Sequence, residues 1–227
     1  MSVETPSDFD NFWNTQKTAL YSSPIEIIEM VEKQSGKSGF KLFYVELKCN
    51  VYSGETDGIV SGYLTYPISA SSSSKIDLRV AFKGYSFSAS SPSYNAGAAT
   101  FSVCAHSIDC ELANSDSSYL SEREKKNTIF DKTANSNRET AYFRGMIMRD
   151  LQAARFMMEY FGEKGIGDGK GKEFWNGLAN TGIVVRHYRT VEIYCNSHIR
   201  VIIKALLLHI VRQQIEFYLP FVGFAEE

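Results

Sequence analysis

A stripe of apolar side chains between residues 141 and 161 constrains the fold of this chain more than any other feature. Apolar residues recur there at steps of three and four positions, which places them on one face of an α-helix. The stripe consists of Phe143, Ile147, Leu151, Ala154, Met158 and Phe161. The pattern therefore predicts a long helix over residues 141–161 with a single apolar face.

Apolar runs upstream of this helix predict β-strands. Residues 40–50 and 59–66 alternate between apolar and polar side chains, with turn-forming residues 53–58 between them, so we expect an antiparallel pair. Residues 75–82 are a compact β-branched run that predicts a buried strand, and another apolar strand is expected at residues 100–105. A strand followed by a loop and another strand is typical of an α/β sheet, whose ligand sites lie beyond the carboxyl ends of the strands.

Three other segments complete this outline. Residues 6–20 predict a first helix, in which Ser7 or Asp8 accepts hydrogen bonds from the amides of the opening turn. Its aromatic side would hold Phe9, Phe12 and Trp13. Residues 107–140 are polar and irregular, so we expect a surface loop, with an excursion over the ligand-binding side of the sheet as the alternative. Residues 181–185 predict a short strand.

Composition favours a single globular domain. The chain has 227 residues, of which 44% are apolar, enough for a substantial core. A net charge of −2, from 24 basic and 26 acidic residues, gives no overall field that would draw the protein to nucleic acid or to a membrane surface. Neither partner is expected. The four cysteines lack Cys-x-x-Cys spacing, which predicts reduced, partly buried thiols.

The sequence favours a cytoplasmic protein. The first twenty residues contain Glu4, Asp8 and Asp10 and no long apolar core, which is atypical of a secretory signal. The most apolar stretch, residues 199–211, carries basic side chains and is shorter than the roughly 20 apolar residues that span a bilayer. We therefore expect no membrane anchor.

Two motifs suggest ligand sites but fail on their spacing. The glycine-rich residues 162–172 lack the Gly-Lys-Ser/Thr ending of a phosphate-binding loop, so a hinge or surface loop is the better interpretation. His106 and Asp109, with Cys104 and Cys110 nearby, carry metal-ligating groups, but no further ligands follow at a helical or zinc-knuckle spacing. We therefore expect a structural loop there, and neither a metal nor an organic cofactor.

The segment after the long helix has the pattern that precedes a serine nucleophile, but no nucleophile follows. A strand-turn-helix hydrolase site holds its serine in a Gly-x-Ser-x-Gly turn, because small residues let a strained backbone present the hydroxyl. Here Val185 is followed by Arg186 and His187, and the next serine is Ser197, which has no glycine beside it. A nucleophilic serine is therefore not expected in this chain.

Several motifs together resemble the acetyl xylan esterase / cephalosporin C deacetylase family of α/β-hydrolases. Residues 6–13 are similar to the family's Pro-x-Asp-Phe-Asp-x-Phe-Trp opening, and residues 82–85 (Phe-Lys-Gly-Tyr) to its His-Gly-Tyr oxyanion loop. Residues 142–143 and 148–156 resemble the arginine-containing helix before the nucleophile turn. Residues 174–177 and 182–185 are similar to the approach to the family's Gly-Gly-Ser-Gln-Gly turn.

The resemblance implies an incomplete α/β-hydrolase fold, with an N-terminal helix and antiparallel strands leading into a partly parallel sheet. It also implies a serine esterase that deacetylates xylo-oligosaccharides and small acetyl esters without a cofactor, often as a homo-oligomer. One functional group of the family has a counterpart here, the backbone amide of Tyr85, which would donate to the oxyanion. Lys83 replaces the usual histidine of that loop, and an ordinary glycine turn at Gly84 is the alternative interpretation.

The resemblance divides the chain into two parts. Residues 1–185 correspond to the N-terminal part of an esterase domain, whereas residues 186–227 match nothing expected after the nucleophile strand. The serine, aspartate and histidine of the triad are missing. A frameshift or a misplaced gene end near Val185 would produce this pattern, so we expect an esterase by descent that is inactive as this chain.

Two alternatives differ from this expectation. A non-catalytic remnant would bind carbohydrate or a partner subunit through its aromatic side chains, Tyr85, Phe87, Tyr94 and Trp175. A hydrolytic pair of Ser197 and His198 is disfavoured, because a strand points successive side chains to opposite faces.

Overall fold

The computed structural model describes residues 6–71, 74, 76–82, 89–104, 106–126, 137–164 and 191–194. The described helices are α1 (Phe9–Tyr21), α2 (Cys110–Ser115), α3 (Ser117–Lys126) and α4 (Tyr142–Lys164). The described strands are β1 (Ile27–Lys33), β2 (Phe40–Lys48), β3 (Ile59–Pro67), β4 (Asp77–Phe82), β5 (Ala98–Cys104) and β6 (Val191–Tyr194). The chain therefore has the mixed α/β character that its sequence predicts.

The strands form one sheet in the order β1-β2-β3-β5-β4-β6. All neighbours pair antiparallel except β4 and β5, which run parallel. The predicted antiparallel pair is confirmed as β2 and β3, in continuous register from Phe40 opposite Pro67 to Lys48 opposite Ile59. The sheet is thus mostly antiparallel, with one parallel pair near its middle.

The first strand, β1, is absent from the sequence-based outline. Its sequence, Ile-Ile-Glu-Met-Val-Glu-Lys, has no clean alternation, so a period of two does not reveal it. It pairs with β2 and has no second partner in the described sheet, and Ile28 is 48% exposed. Strand β1 forms because β2 offers it a hydrogen-bonding edge, not because its own pattern requires a strand.

The core lies between one face of the sheet and α4. Strand β5 is buried along its whole length, as expected of a central strand, whereas β4 alternates between buried and partly exposed residues. Helix α4 contacts β3, β4 and β5. Phe156 of α4 meets Phe101 of β5 edge to face, with ring centroids 5.6 Å apart. The predicted helix over residues 141–161 is therefore confirmed, and it supplies the apolar cover of the central strands.

Helix α4 differs from the prediction in one respect, since its polar side is buried too. Every residue from 148 to 158 is buried. Arg155 donates to the carbonyl of Leu20 at 2.9 Å and lies over the ring of Tyr21, and the amide of Gln152 donates to the carbonyl of Lys48 at 3.2 Å. The C-terminal end of α1 and the end of β2 thus cover the side that an amphipathic helix would leave in water.

The first helix is confirmed, but its predicted cap is wrong. Asp8 occupies the N-cap position without a capping side-chain hydrogen bond, because its carboxylate pairs instead with Arg138. The guanidinium of Arg138 also lies 4.9 Å from the centroid of the Phe12 ring. The predicted aromatic side exists, with Trp13 edge to face with both Phe9 and Phe12. The acidic start of α1 therefore docks the helix to a distant segment.

The plain surface loop expected over residues 107–140 is also wrong, because its described part contains α2 and α3. Asp109 caps α2 by accepting hydrogen bonds from the amides of Glu111, at 2.8 Å, and Leu112, at 3.1 Å. Asp116 accepts a hydrogen bond from the amide of Ser118 at 2.8 Å, at the start of α3. Two short helices form because an aspartate stands immediately before each of them, a local signal that polar composition obscures.

In the described part of the chain, no helix is long and apolar enough to cross a membrane. The predicted strand at residues 181–185 lies outside the described residues, as does the greater part of the glycine-rich segment at residues 162–172. Helix α4 runs into that segment as far as Lys164.

Candidate functional site

The best candidate for a functional site is the edge of the sheet at which parallel β4 and β5 end. Phe82, the last residue of β4, is in register with Val103, so the two strands end side by side. Ligand sites of open α/β sheets lie beyond such carboxyl ends. The segment that follows β4 carries Tyr85, the predicted oxyanion donor. Residues 83–88 lie outside the described residues, so the structure does not test that prediction.

The segment after β5 places a buried histidine at this edge. His106 is fully buried, and its Nδ1 shares a hydrogen bond with the hydroxyl of Tyr142, the first residue of α4. The two rings are nearly parallel, with centroids 5.9 Å apart and an interplanar angle of 15°. Burial raises the pKa of the Tyr142 hydroxyl above its ordinary value. A hydrogen bond thus joins a tyrosine to a buried histidine where the sheet meets α4.

The possible metal ligands His106, Asp109, Cys104 and Cys110 do not come together as a metal site. The carboxylate of Asp109 caps α2 and also accepts a hydrogen bond from the hydroxyl of Tyr44 at 2.9 Å. Among the described residues no group of three or more metal-ligating side chains is close enough to hold an ion. The geometry of this segment is that of a structural turn.

A buried ion pair anchors α4 beside this edge. Arg149 of α4 pairs with Glu55, and their side chains are 3% and 14% exposed. The other carboxylate oxygen of Glu55 accepts hydrogen bonds from the amides of Val51, at 2.6 Å, and Tyr52, at 3.3 Å. Glu55 therefore ties the turn between β2 and β3 to α4 through both of its oxygens.

Tyr52 lies between this ion pair and the start of α4. Its ring centroid is 5.8 Å from the guanidinium carbon of Arg149 and also from that of Arg144. Its hydroxyl is 3.3 Å from the carbonyl oxygens of Ala141 and Tyr142, to which it donates. A Cβ at Gly145 would lie 2.2 Å from that hydroxyl. Gly145 thus permits a close approach that alanine would block.

Sequence reasoning missed this cluster, although one signal was present. Glycine costs about 1 kcal/mol relative to alanine inside a helix. Gly145 stands in the strongest helical pattern of the chain, so a close neighbour is a good reason for its presence. The sequence does not say that the neighbour is Tyr52, which is far away along the chain.

Asp150 carries the most strongly perturbed carboxyl group of this region. It is buried on α4, and its Oδ1 has no hydrogen-bond partner in the structure. Burial raises the pKa of Asp150 well above its ordinary value, while the neighbouring charge of Arg149 opposes the rise. A strongly perturbed titratable group near a ligand edge is a reason to consider a functional role. Asp150 is therefore the titratable group of this edge to test first.

Three serine hydroxyls in the described residues near the edge bond to the backbone. Ser61 donates to the carbonyl of Ile108 at 2.5 Å, and Ser90 donates to the carbonyl of Val103 at 2.7 Å. Ser107 accepts a hydrogen bond from the amide of Ile59 at 3.2 Å. A nucleophilic serine instead needs a base within hydrogen-bond reach. These three contacts stabilise turns and strands.

Of the four aromatic residues that the non-catalytic alternative would use for binding, the structure describes one, Tyr94. Tyr94 packs edge to face against Phe40, and its hydroxyl accepts a hydrogen bond from the amide of Gly36 at 3.2 Å. Tyr85, Phe87 and Trp175 lie outside the described residues, as do Ser197 and His198. Tyr94 thus fastens the turn between β1 and β2 rather than presenting a free ring.

No protein-family model matches this chain, and no curated protein sequence matches it at a significant level.

Proposed function

We propose that residues 1–185 are the N-terminal part of a serine carboxylesterase domain of the acetyl xylan esterase type. The observation that carries the proposal is the parallel pair of β4 and β5 with α4 packed on it. Tyr85 follows β4 along the sequence, and the helix with the family's arginine-containing motif covers β4 and β5. This arrangement suits a hydrolase in which a loop amide and a later nucleophile meet at one edge of the sheet.

The order of the strands gives further support. Strand β5 lies between β3 and β4, after an antiparallel β2–β3 pair. A parallel pair that follows an antiparallel pair fits the partly parallel sheet that the resemblance implies. Strand β6, which pairs antiparallel with β4, departs from that pattern and belongs to the part of the chain, residues 186–227, that the resemblance does not cover. We therefore limit the esterase proposal to residues 1–185.

In this proposal the chain supplies a donor to the oxyanion but no nucleophile to attack the ester. The amide of Tyr85 would stabilise the oxyanion that develops on an acetyl carbonyl, a contribution of about 3 kcal/mol in comparable sites. The substrate class is an acetylated oligosaccharide or a small acetyl ester, and no cofactor is required. Because no serine of this chain stands in a Gly-x-Ser-x-Gly turn, the covalent route is closed.

Hydrolysis of p-nitrophenyl acetate tests the proposal in two steps. The chain of 227 residues is expected to hydrolyse the ester at the rate of buffer alone. DNA beyond the codon of Val185 is then read in its other frames, and a chain carrying an alternative frame with a Gly-x-Ser-x-Gly turn is expected to be active. Turnover by the original chain that Ser197→Ala abolishes would contradict the proposal, and so would the absence of such a turn in every frame.

A pair of variants at one position tests the role of the loop amide in the active chain. Tyr85→Pro removes the N–H and is expected to lower kcat about 100-fold or more, whereas Tyr85→Ala keeps the N–H and is expected to retain most of it. Equal losses in the two variants would assign the effect to the side chain and not to the backbone donor.

A further inference from the structure

A tight reversal of the chain brings Cys104 and Cys110 close together. Strand β5 ends at Cys104, and α2 begins at Cys110. Between them Ser107 adopts a left-handed backbone conformation, with φ of 55°, which is uncommon for a residue with a side chain. The hydroxyl of Ser107 accepts a hydrogen bond from the amide of Ile59, which holds the reversal in place.

Ser61 of β3 holds both cysteines in one place. It is the register partner of Cys104 in the β3–β5 pair. Its hydroxyl accepts a hydrogen bond from the amide of Cys110 at 3.0 Å and donates to the carbonyl of Ile108. The two thiols lie in the same small apolar cluster and hydrogen-bond to each other. Their proximity is therefore built into the sheet and the turn, not a chance contact of mobile side chains.

The environment of Cys110 differs from that of the third described cysteine, Cys49. The hydrogen bond from the Cys104 thiol lowers the pKa of Cys110, and burial opposes this. Burial raises the pKa of Cys49 to about 12, and its thiol has a backbone carbonyl for a neighbour, that of Met148 at 3.9 Å. Because the thiolate is the nucleophile in thiol chemistry, the two sites are expected to differ in reactivity.

We infer that Cys104 and Cys110 form a dithiol couple that a hydroperoxide converts into an intrachain disulfide. The thiolate of Cys110 attacks the peroxide oxygen, the O–O bond breaks, and a sulfenic acid forms as the leaving oxygen takes up a proton to become water or an alcohol. Cys104 then attacks the sulfenic sulfur and loses its proton, and a second water leaves as the S–S bond forms. The two thiols are oxidised by two electrons, which reduce the peroxide.

Access to the buried pair requires α2 to open. Helix α2 has six residues, and its buried residue is Cys110 itself. Isolated helices much shorter than about 12 residues are marginal in water, so local opening of α2 costs less than unfolding of the sheet. The disulfide would join α2 to the carboxyl end of β5, the edge described above. The inference does not depend on the esterase proposal.

Peptide mass analysis of the peroxide-treated chain tests the couple. Cleavage after Lys83 and Arg123 places both cysteines in one tryptic peptide, residues 84–123. After hydrogen peroxide and alkylation of the remaining thiols under denaturing conditions, this peptide is expected to lack both alkyl groups and to weigh two hydrogen masses less than the reduced peptide. Cys49 is expected to stay alkylated, with a reaction at least about tenfold slower.

Single variants separate the two roles. Cys104→Ser removes the resolving thiol, so Cys110 should accumulate as a sulfenic acid that dimedone traps. Cys110→Ser should leave Cys104 alkylated, and Cys49→Ser is the matched control that should form the disulfide as the original chain does. Circular dichroism first checks that the original chain is folded. The inference is overturned if this chain, after peroxide treatment, still has both cysteines alkylated or has either of them joined to a different cysteine. That result decides the matter even if a variant fails to fold.

Discussion

At the scale of single residues, the structure buries charged groups that an amphipathic helix would leave in water. Arg149 and Asp150 are adjacent on α4, and both are buried. Their surroundings differ, because Arg149 has an anionic partner in Glu55, whereas one carboxylate oxygen of Asp150 has no hydrogen-bond partner. A buried charge is tolerated only when it is paired or neutralised. The ion pair with Glu55 thus balances the charge of Arg149, whereas burial raises the pKa of Asp150 and so favours its neutral form.

Breaking the ion pair on one side should destabilise the protein strongly. Arg149→Met leaves the Glu55 carboxylate in a mostly buried position without its cation, for which a loss of about 3–5 kcal/mol is typical. The double variant Arg149→Met with Glu55→Gln removes both charges and should lose less than the sum of the single variants. Urea unfolding at pH 7 measures all three. Additive losses would mean that the two side chains do not interact in solution.

Asp150 should make the folded protein less stable as the pH rises, which is the reverse of the usual effect of a carboxyl group. Its pKa in the folded protein is raised above the ordinary 3.8, so the folded state binds the proton more tightly than the unfolded state. The contribution of this group to stability is therefore complete at low pH and falls as the pH rises above its ordinary pKa towards the folded value. The variant Asp150→Asn should be at least as stable as the original chain at pH 7 and should lose this part of the slope.

Unfolding free energies of both chains between pH 4 and pH 8 check this expectation. The difference between Asp150→Asn and the original chain should grow in favour of the variant as the pH rises. A difference that is constant across the range would show that Asp150 titrates alike in the folded and unfolded states.

At the scale of elements, short helices in this chain depend on single capping residues. Helix α2 is too short to be stable by itself, and Asp109 satisfies two of its free amides. The same carboxylate accepts a hydrogen bond from Tyr44 of β2, so it also links α2 to the sheet. An element of this kind is easily missed from sequence, because its periodic signal covers less than two turns.

Replacement of the cap should loosen α2 more than the rest of the protein. Asp109→Ala removes the acceptor for Glu111, Leu112 and Tyr44 and should cost about 0.5–2 kcal/mol, whereas Asp109→Asn keeps an oxygen and should cost less. Amide hydrogen exchange should show faster exchange in α2, with little change in β2 and β3. Equal protection of α2 in both variants would show that its packing, not its cap, fixes the helix.

At the scale of the whole molecule, α4 joins the parts of the fold. One side of it covers β3, β4 and β5, and the other is covered by α1 and by the end of β2. Arg144 extends this contact, since its guanidinium donates to the side-chain oxygen of Gln16 at 2.6 and 2.9 Å. The helix therefore resembles a central core helix more than a surface one.

Truncation in this core should affect the stability of the entire protein. Phe156→Ala removes a fully buried ring that packs on Phe101 and should cost about 3–5 kcal/mol, a large share of a typical total of roughly 5–15 kcal/mol. Ile68→Ala is the matched control, because that side chain is 64% exposed and its loss should change stability by less than about 0.5 kcal/mol. A thermal unfolding scan of the two variants measures the contrast, and similar midpoints would contradict the central position of α4.

The sequence alone determined the elements whose signals are local. Helices α1 and α4, the antiparallel pair β2–β3, and the strands β4 and β5 follow from periodicities that span a few residues. Of the candidate site, the sequence indicated the loop with Tyr85 and the segment with His106, but not what the described residues of that edge contact. It could not indicate β1, because an edge strand of irregular pattern forms only where a neighbour offers hydrogen bonds.

Only the tertiary structure decided which distant residues meet. Arg149 and Glu55 are 94 positions apart, and Gln152 and Lys48 are 104 positions apart. Local propensity is blind to such pairs, because their energy appears only when packing brings the segments together and removes the water between them. For the same reason, the burial of the polar side of α4 and the meeting of Cys104 with Cys110 belong to the fold and not to the pattern of residues along the chain.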